Sequence, residues 1–137
     1  MTAVALVTAG KIRVVESIQQ LTLPFAESVN VGQAVRIDTT TGKWTKANGS
    51  AAGEARIWGI LVSKDAAGAV GTAIRKGVVD GYDLASLAYD LPIYMSDTDG
   101  GLADDDASTV DVIVGRVIPA WSTTLGTAAD KLLEIDL

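Results

Sequence analysis

The sequence contains neither cysteine nor histidine. Their absence excludes disulfides, thiol nucleophiles, zinc sites of the usual Cys/His kind, Ser-His-Asp triads and imidazole acid–base chemistry. Only carboxylates, lysine, tyrosine and hydroxyl groups remain for catalysis. We therefore predict a protein that is not an enzyme, binds no cofactor or metal ion, and folds independently of the redox compartment.

Basic residues and long apolar runs are also scarce. The 17 Asp and Glu outnumber the 11 Lys and Arg, which gives a formal net charge of -6. A protein that binds a phosphate backbone needs a basic face, and Lys64, Arg75 and Lys76 are too few to make one, so we predict no nucleic-acid partner. No apolar run approaches the roughly 20 residues of a membrane helix. Residues 1–9 also lack the charged start of a signal peptide, so we predict no membrane partner.

Short alternating segments joined by glycine-rich turns dominate the rest of the chain. Fourteen glycines and only seven aromatic residues among 137 are typical of an all-β protein. Residues 11–18 alternate and change phase at Val15, and residues 21–25 alternate around Pro24, which suits an edge strand or a strand end. We count about nine strands in a single domain, with turns at the spacing of a small β-barrel or sandwich.

The stretch beginning at residue 75 predicts a strand, a helical turn and a second strand. Lys76 and Gly77 interrupt an apolar strand, which indicates a bulge. Residues 83–89 have apolar side chains at helical spacing behind Asp83, a candidate N-cap, so we predict one short helix there.

Two later segments complete the predicted sheet. Residues 57–62 form a continuous apolar run, which predicts a strand covered on both faces. Residues 110–114 alternate, and we expect Gly115 to interrupt that strand.

Residues 1–10 are small, apolar and uncharged apart from the terminus, and they precede the first alternating strand. We predict that they form an extended N-terminal arm and that residues 11–137 form the single β domain. Val4, Leu6 and Val7 would anchor the arm on a neighbouring subunit or on another protein, and deleting the arm should leave the core intact. The alternative is a frayed terminus.

The only dense cluster of one chemical kind is an acidic loop, for which two functional interpretations compete with a structural one. Several hard oxygen ligands on a loop suit calcium, but the ligand order of an EF-hand is absent. A paired-carboxylate hydrolase using Asp104 would need an apolar setting that raises one pKa, and adjacent aspartates in a loop lack it. The structural interpretation is a solvated turn that keeps a β edge soluble. The acidic residues are Asp97, Asp99, Asp104, Asp105 and Asp106.

Aromatic rings offer a binding function of another class, because they stack on the apolar faces of sugars. Tyr82, Tyr89 and the three tryptophans could line such a face. They are scattered in the sequence, which favours packing in the core or at a subunit interface. The alternative function is thus a non-enzymatic carbohydrate- or ligand-binding β domain displayed on a particle surface.

Five segments, in this order, resemble the small head decoration proteins, or capsid cement proteins, of tailed bacteriophages. They are VNVGQAVRID, TGKWTKANG, RKGVVDGYDL, LPIYMSDTDGGL and VGRVIP. The resemblance spans about residues 10–137 and depends on glycine-punctuated strands rather than on catalytic residues.

The resemblance implies a non-enzymatic, β-tulip-like domain with an N-terminal arm. Such a protein would be made in the host cytoplasm and would bind the outer surface of the expanded capsid. It would contact the major capsid protein and itself, as a homotrimer. The family has no site motif whose residues could be transferred to this chain.

Overall fold

The computed structural model describes residues 2–119 and 130–137, and within these residues the protein is all-β. All strand-to-strand pairings in the sheet are antiparallel. The ten strands are β1 (Ala3–Val4), β2 (Arg13–Pro24), β3 (Ala34–Ile37), β4 (Trp44–Lys46), β5 (Gly59–Lys64), β6 (Val70–Asp80), β7 (Pro92–Met95), β8 (Leu102–Ala103), β9 (Ile113–Pro119) and β10 (Lys131–Asp136).

The long strand β6 organises the sheet. Along one edge it pairs with β2, from Arg13 opposite Asp80 to Pro24 opposite Val70. Its first half also pairs with β5, which continues to β3 and β4, and its second half pairs with β10, which continues through β9 and β7 to β8 and β1. One strand therefore joins two wings of a single curled sheet.

The N-terminal segment closes one wing into a ring. Beyond the pairing of β1 with β8, the Val7 N–H donates to Gly81 O at 2.9 Å, and the Asp83 N–H donates to Ala5 O at 2.9 Å. Backbone hydrogen bonds thus run from the end of β6 through the N-terminal segment, β8, β7, β9 and β10 back to β6. In the single chain this segment is part of the sheet and not a free extension.

Two apolar clusters lie on opposite faces of the sheet. Ile60 belongs to the larger cluster and its neighbour Leu61 to the smaller one, as expected for a strand covered on both faces. The strand covered on both faces that was predicted at residues 57–62 is confirmed for β5, which begins at Gly59. The smaller cluster consists of Val29, Val35, Trp44, Leu61 and Ala73.

The predicted short helix at residues 83–89 is wrong. The chain makes only isolated turns there, with one hydrogen bond of 3.1 Å from the Leu87 N–H to Leu84 O. Leu84 is buried at 2% exposure and anchors the loop to the core. A helix this short gains too few hydrogen bonds to offset the entropy of nucleation, so the anchored loop prevails.

The bulge predicted near Lys76 and Gly77 is confirmed, although most of the irregularity lies in the partner strand. The β2–β6 register shifts between Gln19 and Gln20, where Arg75 is an extra residue of β6, and also between Val14 and Glu16 and between Ser17 and Gln19. The shifts leave Val15 and Ile18 as extra residues of β2. The change of phase at Val15 in the sequence thus marks a real bulge.

Gly115 does not interrupt its strand, as the sequence suggested, but lies inside β9. It lies opposite Ile135 of β10. A Cβ atom at Gly115 would overlap the Glu134 carbonyl oxygen and would lie 2.8 Å from its carbonyl carbon. The glycine is required by the close approach of two backbones and not by a turn.

Candidate interaction surface

The three residues predicted to anchor the arm differ in their surroundings. Val4 is 7% exposed and belongs to the larger core cluster, and Leu6 is half-buried against the same cluster. Val7 is 45% exposed. In one chain only Val7 is available to a partner, and the predicted binding of Val4, Leu6 and Val7 to a neighbour remains a prediction.

The acidic loop uses its carboxylates to hold backbone groups. Asp97 accepts the Thr109 N–H at 3.1 Å, and Asp104 accepts the Thr2 N–H at 3.0 Å. Asp99 accepts the Asn48 side-chain amide at 2.5 Å. These bonds favour the structural interpretation of the loop and join it to the N-terminal segment.

No group of three or more acidic side chains in the described part of the chain is placed to hold a metal ion. Within residues 2–119 and 130–137 there is also no helix with the length and apolarity of a membrane span.

Two of the three tryptophans pack in or against the core. Trp44 is fully buried, and its Nε1–H donates to Gly71 O at 2.8 Å. The rings of Trp44 and Trp58 lie 5.5 Å apart, and the guanidinium of Arg75 lies 5.7 Å from the Trp58 ring centre. Neither ring forms an open platform for a sugar, and Trp121 lies outside the described residues.

A depression of about 860 Å³ lies between the N-terminal segment and the loops at residues 30–33 and 98–102. Its lining is mainly apolar. The Tyr82 hydroxyl that faces it donates to Gly32 O at 2.6 Å, and Lys64 Nζ donates to Val29 O at 3.1 Å. Because these two polar groups already bond within the protein, neither is free to orient a small ligand in the depression.

The surface that the sequence did not single out is the free edge of β2. All residues from Arg13 to Gln20 are exposed, and among the described residues β2 pairs only with β6. Val14, Val15 and Ile18 are 41%, 44% and 69% exposed. Two of these three are the bulged residues, as expected if the bulges turn apolar side chains outward.

One ion pair between an exposed arginine and a buried carboxylate fixes the start of this edge. Arg13 Nε and Nη2 lie 3.4 and 3.3 Å from Asp80 Oδ2, and the Asp80 side chain is fully buried. A charge buried in this way needs such a partner. The pair holds β2 against β6 where the two strands leave the core.

Glu27 links the loop before β3 to β4. The Thr45 hydroxyl donates to its carboxylate, and this bond is the main reason that the pKa of Glu27 lies below its usual value, with Lys46 lowering the pKa further. A carboxylate with a lowered folded-state pKa stabilises the fold above its unfolded pKa of about 4.5, and that contribution is lost as pH falls through the lower folded value.

We therefore expect acid to weaken the contact between Glu27 and Thr45. The melting temperature of the wild type should fall as pH is lowered from about 5 to about 3. The melting temperature of Thr45→Val should fall less steeply with pH, because Glu27 in this variant lacks its main hydrogen-bond donor at every pH. Differential scanning calorimetry across this range measures both slopes, and parallel slopes would refute the assignment.

No protein-family model, curated protein or solved structure matches this chain.

Proposed function

We propose that this protein is a capsid decoration protein that binds the outside of an expanded phage head and stabilises contacts between major capsid proteins. The resemblance of five segments to phage cement proteins suggests the class. The structural observation that supports it best is the twelve-residue edge strand β2 with its exposed apolar side chains. An exposed edge of this kind promotes aggregation of a protein that acts alone, whereas in an assembly it can be covered by a partner.

The chemistry of the chain agrees with a structural role. The described carboxylates of the acidic loop hold backbone and amide groups, and the tryptophans Trp44 and Trp58 pack in or against the core. The net charge of -6 favours a protein partner over nucleic acid. Repeated contacts around a shell stabilise it by avidity even when each contact is weak.

The proposal includes self-association as a homotrimer on the virion surface, after synthesis in the host cytoplasm. The number three comes from the resemblance, whereas the apolar character of residues 1–10 supports only association.

The test is co-sedimentation of purified protein with expanded and unexpanded heads of the phage that encodes it. We expect saturable binding to expanded heads, at least tenfold weaker binding to unexpanded heads, and a trimeric mass by light scattering. Equal absence from both pellets would refute decoration, and a monomer in both the free and bound states would refute the trimer.

A further inference from the structure

The free edge of β2 has the chemistry of a docking site for another strand. In an antiparallel sheet every second N–H and C=O of an edge strand points away from its partner. Along β2 these groups have no strand partner among the described residues. A row of alternating donors and acceptors is matched by an extended polypeptide and by few other ligands.

Several of the usual protections of such an edge are missing. Natural edge strands are short, carry lysine, proline or inward charges, or twist away at β-bulges. β2 has twelve residues, with no lysine and its one proline at the last position. Its two bulges present Val15 and Ile18 to solvent, and Ile18 at 69% is the most exposed large apolar side chain in the described chain.

A groove beside this edge indicates the charge of the occupant. It has a volume of about 240 Å³ and lies where β2, β6 and β10 run side by side. Glu16 lies opposite Val78, and Val78 lies opposite Glu134, so the two glutamates flank the valine at a distance of roughly 10 Å, or two strand spacings. Gly77, next to Val78 in the lining, has no side chain to fill the groove.

The two glutamates have no salt bridge in the described structure, whereas the other charges that line the groove neutralise each other. Lys76 Nζ lies 2.8 Å from Asp136 Oδ1. A segment paired with the free edge of β2 would lie about one strand spacing from Glu16 and about three spacings from Glu134, so a lysine or arginine of that segment would meet the Glu16 carboxylate. A second copy of this chain would instead bring another acidic edge and a further net charge of -6, which disfavours self-pairing along β2.

We infer that the β2 edge takes an extended segment of a different protein, with apolar side chains for Val15 and Ile18 and a basic side chain for Glu16. If the proposed function holds, that segment belongs to the major capsid protein. The N-terminal segment is then a closing strand of the sheet and the β2 edge is the principal docking surface.

The same substitution, isoleucine to lysine, at one position on β2 and one on β9 tests the inference. Ile18 on β2 and Ile113 on β9 are both exposed, at 69% and 53%. Ile18→Lys should weaken binding to expanded heads at least tenfold, and Ile113→Lys should bind within twofold of the wild type. Glu16→Gln should weaken binding several-fold and reduce its salt dependence, whereas Glu134→Gln, about three strand spacings from the docked segment, should bind within twofold of the wild type. Both sets should keep the wild-type melting temperature within a few degrees.

A probe that needs no capsid separates this inference from the proposed function. The probe is a ten-residue peptide in which valine alternates with lysine and threonine, and its control carries proline at two valine positions. Amide hydrogen exchange should show added protection of residues 13–20 with the first peptide and none with the control, and Ile18→Lys should abolish the protection.

The outcomes are distinct. Protection by the peptide without binding to heads would retain the strand site and refute decoration. Binding to heads that Ile18→Lys leaves unchanged, with no protection of residues 13–20, would overturn the strand site and retain decoration. A lower oligomeric mass of Ile18→Lys would show that a second copy occupies the edge and would likewise overturn the inference.

Discussion

Replacing Gly115 with alanine should destabilise the domain by about 3 kcal/mol or more, the upper range for overpacking a rigid site. The added Cβ would overlap the Glu134 carbonyl oxygen and crowd the Ile135 Cα at 3.1 Å. Both are backbone atoms of β10, which pairs with β9 and β6, so neither can move without disturbing two ladders. Urea unfolding followed by tryptophan fluorescence measures the change.

Gly53→Ala is the matched control for this substitution. A Cβ at Gly53 would meet nothing within 4 Å, and its φ lies outside the left-handed region. We expect no loss of stability, or a gain of a few tenths of a kcal/mol from reduced entropy of the unfolded chain. If Gly115→Ala unfolded at the same urea concentration as Gly53→Ala, β9 and β10 would not approach as closely as described.

Removal of residues 1–9 should lower the melting temperature by roughly 10 °C or more. The truncation removes a buried valine, worth about 1.5–3 kcal/mol, together with the packing of Leu6. It also removes the hydrogen bonds that join Val7 to Gly81 and Ala5 to Asp83, which close the ring. The sequence predicted that this deletion would leave the core intact, and the pairing of residues 3–7 gives the opposite expectation.

Two point variants test whether the loss of a buried side chain in this segment lowers the stability of the domain. Val4→Ala should lower stability by about 1–2 kcal/mol, because Val4 is 7% exposed and contacts the core. Val7→Ala, in the same segment at 45% exposure, should change stability by less than about 0.5 kcal/mol. If the truncated protein and both variants melt with the wild type, the N-terminal segment does not close the sheet in solution.

Alternation of apolar residues sufficed to predict the fold class, because each strand must bury one face. The interruption at Lys76 and Gly77 and the apolar run at residues 57–62 also predicted a bulge and a strand covered on both faces, since both are local properties of a pleated chain. The short helix failed because the spacing of Leu84 and Leu87 fits a helix and an anchored loop equally well. Tertiary packing, which a local pattern does not contain, decides between them.

The role of Gly115 and the place of the N-terminal segment depend on contacts distant in sequence. From the sequence alone Gly115 is interpreted as an interruption of its strand, because the sequence does not show that β10 lies against it. Residues 3–7 read as an arm because their partners are at residues 81–83 and 102–104, about a hundred residues away at the farthest. For β2 the sequence indicated an edge at Pro24 alone, and the lack of lysine in residues 13–24 was a further signal of a free edge along the whole strand.

The most direct test of the account is a cryo-EM reconstruction of expanded heads mixed with the purified protein. The account predicts density for the β domain on the outer surface, with an extended segment of the major capsid protein lying along residues 13–24. Unoccupied heads at saturating protein concentration would contradict the proposed function. Decorated heads in which β2 faces solvent would contradict the assignment of its edge as the docking surface.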